Sequence, residues 1–224
     1  VRVGITGWRG FIGSHLKDKL EQPILFQGDM TVLEGVRKFV KECDMIYHIA
    51  GKNKAEKGLV IKNNILSTGN LLLACTLEGV SPQVVFTSSK QVEWNRDSEY
   101  GLAKYLEEKI IGNFKRYYIF RVPNVYGEGC KPFYNSVVAT FCYQLVHGLK
   151  VTVNDPNVKR EFIYIDDLVN QLLNLEYVWR YGEIKGEVMT IGEIYDYLTS
   201  RLGQHEKLKQ CYDYYLRSKD VSIA

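Results

Sequence analysis

Short apolar runs rich in branched residues alternate, along the first half of the chain, with longer segments whose apolar positions recur every three or four residues. The short runs lie at residues 1–6, 24–26, 45–50, 84–87 and 117–122 and predict buried strands. Pro23 and Pro82 punctuate two of them upstream, and Gly51 and Pro123 close two others. The segments between predict helices at about 11–20, 32–40, 64–77 and 100–111, the second from the spacing of Val32, Val36, Phe39 and Val40. This alternation predicts a parallel sheet covered on both faces. Right-handed crossovers then bring every strand's C-terminal end to one edge, where such sheets bind ligands. The second half reads differently, with a long helix at 133–146 and short strands at 151–153 and 162–165. Further helices are expected at 166–179 and 192–201, the last with Thr190 as a cap. A smaller lobe is expected from this half. The tail after Gly203 is charged and tyrosine-rich and carries no assignable role.

The first run leads into Gly7-Trp8-Arg9-Gly10-Phe11-Ile12-Gly13 and then an amphipathic helix, which is the strand–turn–helix context a phosphate-binding glycine loop requires. Gly7 can take a positive φ at the turn, a bare Gly10 lets the backbone approach a pyrophosphate, and Gly13 lets the helix sit close to the sheet. The helix start offers unpaired N–H groups and a positive dipole end. The expected fold is therefore α/β, a Rossmann-type doubly wound parallel sheet with a small C-terminal substrate-binding lobe. Residues 1–128 would form the dinucleotide-binding core and 129–224 the lobe, interleaved with that core.

Composition narrows the classes. With 46% hydrophobic and 25% charged residues the 224-residue chain can bury a full core, and a net charge of +3 without like-charged blocks indicates neither nucleic acid nor a membrane surface. Five cysteines without a C-x-x-C pair suit reduced thiols in a cytoplasm, not a disulfide framework or a metal site. No apolar run approaches the roughly 18 residues of a membrane span, and the chain opens in a strand without a signal-peptide pattern.

Tyr100 and Lys104 fall at i and i+4, on one helix face. A lysine beside a tyrosine favours the phenolate and brings the phenol toward a useful acid/base range; a solvated helix face is the plainer reading. Ser88 and Ser89 end the strand at 84–87, where either one could bond a substrate oxygen or both could be turn and cap residues.

In order along the chain, the glycine loop, Gly28-Asp29-Met30, His48-Ile49-Ala50-Gly51, Asn64 in its apolar helix, Thr87-Ser88-Ser89, Tyr100 with Lys104, the stretch from Arg121 to Gly127 and the stretch from Arg160 to Asp167 resemble the extended short-chain dehydrogenase/reductase family, in its nucleotide-sugar branch. A narrower resemblance, through residues 129–143 and 153–158, is to the reductase domain of the CapF group of capsular-polysaccharide enzymes. That resemblance implies an NADPH-dependent reductase of a UDP-4-keto-6-deoxy-N-acetylhexosamine in capsule or O-antigen precursor synthesis. Those relatives carry a C-terminal metal-binding cupin domain; this chain reaches its last residue where the linker to it would begin, so a fragment or a stand-alone relative is expected.

Position by position, the resemblance implies Tyr100 as the acid at the C4 oxygen, Lys104 as the residue tuning it and holding the nicotinamide ribose, and Ser89 as a donor to the same oxygen. Gly7 through Gly13, Asp29, Met30, Ala50, Gly51 and Asn64, together with Tyr100 and Lys104, would meet the cofactor, although a purely structural hydrogen bond is an equal reading for Asn64. Asn124 and Arg160 would meet the substrate diphosphate, and Cys130 and Lys131 would line the sugar pocket. Arg9 could meet an adenosine 2′-phosphate, which tilts the expectation from NAD to NADPH because no separate second strand ends in an acidic ribose-binding residue; an exposed loop arginine is the alternative. Gly127, Gly129 and Pro132 mark a loop that could order over substrate. Lys90 and Gln91 follow Ser89 where a dehydratase would want an acidic pair. A 4-epimerase with tightly bound NAD is the second reading, and a non-catalytic nucleotide-binding regulator is a third. A homodimer is expected from the family.

Overall fold

The computed structural model describes residues 1–54, 56–175 and 180–218. The chain divides into two compact units, Val1–Val122 with Gln171–Ile184, and Pro123–Asn170 with the segment from Lys185 onward.

The first unit holds strands β1 (Val3–Thr6), β2 (Ile24–Leu25), β3 (Met45–His48), β4 (Gln83–Ser89) and β5 (Tyr117–Val122). Between them run α1 (Phe11–Lys19), α2 (Leu33–Lys41), α3 (Leu59–Glu78), the single turn α4 (Gln91–Trp94) and α5 (Glu99–Ile111). With β8 (Tyr181–Glu183) the strands form one parallel sheet in the order β2-β1-β3-β4-β5-β8. The chain goes from β1 outward to β2 and then crosses to β3 on the other side, so the order reverses at β1/β3. That reversal is the place where such a sheet opens a ligand crevice at its C-terminal edge. Ile5, Ile46, Val84, Phe86 and Ile119 are fully buried, because helices cover both faces. Helix α2 buries Val36, Phe39 and Val40 on one face, each worth about 1.5–3 kcal/mol relative to exposure.

The second unit contains β6 (Asn124–Tyr126), α6 (Val137–Val146), β7 (Lys159–Tyr164), β9 (Glu187–Thr190), α8 (Ile191–Thr199) and α9 (Glu206–Arg217). Helix α7 (Ile165–Leu173) begins here and ends in the first unit. Its sheet has the order β6-β7-β9, parallel then antiparallel. Thr190 and Glu193 form a full capping box at the start of α8.

Several expectations are corrected. Residues 151–153 form no strand. The helix expected from Phe133 begins at Val137, capped by Ser136, because Phe133 itself takes φ 58° and follows Pro132. Helix α3 begins five residues before Asn64, behind Gly58 at φ 81°. Helix α7 ends at Leu173, and the expected end at Trp179 lies outside the described residues. The tail after Gly203, to which the sequence assigns no role, contains α9, which buries Leu208, Cys211 and Tyr215. No helix of the described residues is long and apolar enough to cross a membrane.

Candidate active site

The turn after β1 is shaped by close main-chain packing. Gly7 has φ +72°, and a Cβ there would stand 2.6 Å from the Ala50 nitrogen; a Cβ on Gly13 would stand 2.2 Å from the Gly7 oxygen. Gly10 N donates to Gly7 O at 3.0 Å. Helix α1 starts without a side-chain cap, so its first N–H groups face the loop with no side chain answering them. Trp8 Nε1 donates to Phe26 O at 2.9 Å, and the Arg9 guanidinium stacks 4.2 Å over the Trp8 ring and donates to Gln27 Oε1 at 2.7 Å. Both arms of the loop therefore lean toward the end of β2. There the Asp29 carboxylate accepts from Thr31 N and Oγ1, both at 2.8 Å, and these donors hold its pKa below the usual range. The Met30 side chain is buried in the core, and its main-chain carbonyl accepts from Asn70 Nδ2 at 3.0 Å.

Beyond β3, Asn64 uses both ends of its amide on Lys52: Oδ1 accepts from Lys52 N at 2.7 Å and Nδ2 donates to Lys52 O at 2.9 Å. This pins the turn that presents Ala50 and Gly51, so the side chain acts on the loop backbone.

Three polar anchors hold α5 over the sheet edge. Ser98 caps it through Gly101 N, and Glu99 accepts from Gly58 N at 2.8 Å. Buried Glu108 accepts from Ser88 Oγ at 2.6 Å and from Arg121 Nε and Nη2 at 2.9 and 2.8 Å, tying β4, α5 and β5 together. The same carboxylate raises the pKa of Arg121, so that guanidinium stays charged. Because adjacent strand residues point to opposite faces, Ser88 is committed to Glu108. Ser89 Oγ accepts from Gln91 N at 3.2 Å on the other face. Tyr100 sits in the first turn of α5, and Lys104 lies one turn on with Nζ 6.0 Å from the Tyr100 ring centre and 4.6 Å from that of Phe86. Lys104 is buried against Gly51, where a Cβ would meet Nζ at 3.3 Å. The first unit therefore gathers the glycine loop, Ala50, Gly51, Tyr100 and Lys104 at strand ends. Glu107 and Glu108 escaped the sequence reading, although they follow Lys104 at i+3 and i+4 on its helix.

The second unit carries the remaining residues. Asn124 Nδ2 donates to Glu161 O at 3.0 Å, and Arg160 Nη1 to Lys159 O at 2.8 Å. Cys130 is buried, its thiol pushed up to about 11 by burial, and Tyr215 donates its hydroxyl to the Cys130 carbonyl. Lys131 is exposed.

Comparison with known proteins identifies the family and the fold. The model of the NAD dependent epimerase/dehydratase family matches residues 3–175. A UDP-2-acetamido-2,6-beta-L-arabino-hexul-4-ose reductase of Pseudomonas aeruginosa is 32% identical over 189 residues, covering 78% of this chain and 49% of the reductase. The chain thus spans about half the length of that relative. Among solved structures, the capsular polysaccharide assembling protein CapF of Staphylococcus aureus superposes with a TM-score of 0.79 at 28% identity, over 99% of this chain and 68% of CapF. The UDP-glucose 4-epimerase of Thermus thermophilus, solved with NAD, shares the fold with a TM-score of 0.77 at 23% identity, over 91% of this chain and 84% of that one.

Proposed function

The chain belongs to the NAD dependent epimerase/dehydratase family, and from that premise we propose that it is an NADPH-dependent reductase acting at C4 of a UDP-linked 4-keto-6-deoxy-N-acetylhexosamine. The observation that supports this reading is that β4 ends on Ser89 and α5 opens with Tyr100 and Lys104 one turn apart, in a unit whose first turn is a glycine cradle. Identity to a UDP-sugar keto reductase adds the substrate class.

The cradle fits a dinucleotide: it is kept open by Gly7 and Gly13, which tolerate no Cβ, and α1 presents uncapped N–H groups to a diphosphate. Gly7 through Gly13 would hold that group, the Asp29 carboxylate and Met30 main chain would flank the adenine, and Ala50 and Gly51 would run beside it. Arg9, held over the Trp8 ring and bonded to Gln27, suits a 2′-phosphate and makes NADPH the preferred form. When bound, the cofactor supplies the hydride. Tyr100 holds the proton destined for the C4 oxygen, Ser89 Oγ bonds the same oxygen, and Lys104 orients Tyr100 and the ribose. Donors placed where charge develops stabilise the transition state. Asn124 and Arg160 are proposed for the diphosphate, where a guanidinium offers paired donors, and Cys130 and Lys131 for the sugar pocket. The five buried thiols suit a reducing cytoplasm. The outward leucines of α3, Leu59, Leu66, Leu73 and Leu77, are 37% to 54% exposed and support a homodimer across that helix.

The test is the loss of NADPH absorbance on adding enzymatically made UDP-4-keto-6-deoxy-HexNAc, with NADH run in parallel. Stoichiometric oxidation favouring NADPH is expected. A flat trace with changed sugar stereochemistry makes the protein an epimerase. A flat trace with unchanged sugar points to a non-catalytic nucleotide-binding protein.

A further inference from the structure

Thr6, His48, Thr68 and Glu107 are each 0% exposed, and none is needed to explain the contacts proposed above. They form one continuous line. Ala50 N donates to Thr6 Oγ1 at 3.3 Å, Thr6 Oγ1 lies 2.7 Å from His48 Nδ1, and His48 Nε2 lies 3.0 Å from Thr68 Oγ1. Thr68 Oγ1 donates to Glu107 Oε1 at 2.7 Å, and Glu107 Oε2 stands 3.2 Å from Lys104 Nζ.

Valence fixes the direction of this line. A carboxylate only accepts, so Thr68 commits its single proton to Glu107 and accepts from His48. Nε2 of His48 is therefore protonated. Burial, reinforced by Lys104, lowers the imidazole pKa to about 3, so the ring is neutral and Nδ1 is bare. Thr6 then donates to Nδ1 and accepts from Ala50. Every bond points one way, from the Ala50 amide to the Glu107 carboxylate, and the far oxygen of that carboxylate faces the ammonium of Lys104.

We propose that Glu107 is a positioning residue: its carboxylate terminates a one-way hydrogen-bond line that fixes Lys104 together with the turns at Thr6–Gly7 and Ala50–Gly51. These are three separate parts of the cofactor bed, joined by one acid that is itself out of reach of any ligand. The inference rests on the cofactor reading proposed above.

Glu107→Gln tests it without changing shape. The ammonium of Lys104, a donor only, demands the amide oxygen, which turns the amide NH2 toward Thr68. Thr68 then accepts there and donates to His48 Nε2, and the histidine proton moves to Nδ1. Nitrogen-15 NMR of the imidazole reads the switch. The expected result is Nε2–H in the native protein and Nδ1–H in Glu107→Gln, with kcat lowered about 10-fold to 100-fold, the range a small misplacement produces, and the sugar KM unchanged. Thr68→Ser should keep the native tautomer and turnover, whereas Thr68→Val should lose turnover by a similar factor; this pair gives the answer if Glu107→Gln does not fold. Nδ1–H in the native protein, or no switch in Glu107→Gln, overturns the line. A switch with native kcat overturns the positioning role. If the native protein binds no NADPH by calorimetry, the cofactor reading falls and the positioning role with it, while the tautomer still decides whether the line exists.

Discussion

Replacing Gly13 by alanine separates the glycine cradle from everything else the first helix does. Gly13 lies in the first turns of α1, where alanine is ordinarily the better helix former by about 1 kcal/mol. Helix propensity alone therefore predicts a gain in stability. The structure reverses the sign, because a Cβ on Gly13 would stand 2.2 Å from Gly7 O and 2.8 Å from both Gly7 C and Trp8 Cα. All three atoms are main chain, so no side chain can swing aside and the loop itself must shift. Overpacking of this kind costs about 1–3 kcal/mol, which leaves a net loss of up to about 2 kcal/mol. A displaced loop also misaims its N–H groups, and a tenfold loss of NADPH affinity, about 1.4 kcal/mol, is the least expected. Gly10→Ala is the control. A Cβ there meets only Gly7 O, at a tight 3.3 Å, so stability should fall less than in Gly13→Ala while the bulk facing the phosphates weakens binding. Urea midpoints and calorimetric titration with NADPH measure the two quantities. A Gly13→Ala protein more stable than the native one, or binding NADPH within about twofold of it, a margin of roughly 0.4 kcal/mol, would refute the reasoning.

Tyr100→Phe should lower kcat by about 10²- to 10⁴-fold, the usual worth of a positioned acid, with a far smaller loss of NADPH affinity; steady-state kinetics and titration check both halves. Ser89→Ala should lose turnover and keep stability, whereas Ser88→Ala should lose about 1–2 kcal/mol of stability, because buried Glu108 loses a donor, and keep most turnover. The depressed folded-state pKa of His48, about 3, means the unfolded chain takes up a proton first as pH falls through the ordinary histidine value. Stability should therefore decline below about pH 6.5, by about 2 kcal/mol at pH 5; urea midpoints that stay flat from pH 7 to 5 would contradict this. Burial pushes the thiols of Cys43 and Cys75 up to about 12 and that of Cys130 up to about 11. A thiol-reactive dye should therefore react with the native protein far more slowly than with the urea-unfolded one, in which all five cysteines titrate.

The elements that the sequence announced are those buried on both sides. Strands β3, β4 and β5 follow from apolar runs because a parallel sheet hides both faces and leaves no polar alternation to interpret. Short edge pieces carried no such signal: β8 is Tyr-Gly-Glu, and β9 begins on an exposed glutamate and valine. Their extended form is set by the partner strand. Residues 151–153 show the converse, since alternating branched residues do not make a strand without a neighbour to pair with. Helix α9 was legible in principle, because Leu208, Cys211 and Tyr215 recur at i, i+3 and i+7, but its many charges and tyrosines masked the stripe. At the site, the glycine loop and the Tyr100–Lys104 pair are local patterns and could be read off directly. The line from Thr6 through His48 and Thr68 to Glu107 draws on β1, β3, α3 and α5, with steps of 42, 20 and 39 residues. Only folding brings those hydroxyls and that carboxylate together, and no spacing rule anticipates them.

The six-stranded sheet is assembled from a discontinuous stretch of chain, since its last strand, β8, comes after β6, α6, β7 and α7. During synthesis the first five strands leave the ribosome well before the strand that covers β5. Until residue 183 has emerged, the outer edge of Tyr117–Val122 presents unpaired N–H and C=O groups and a β-rich face. The nascent protein thus passes through a stage with an open, adhesive edge, and N-terminal fragments cut near residue 122 are arrested in it. Such fragments should associate and precipitate where the longer chain stays dispersed, so dissection of this molecule has to keep the two separated pieces of the sheet together.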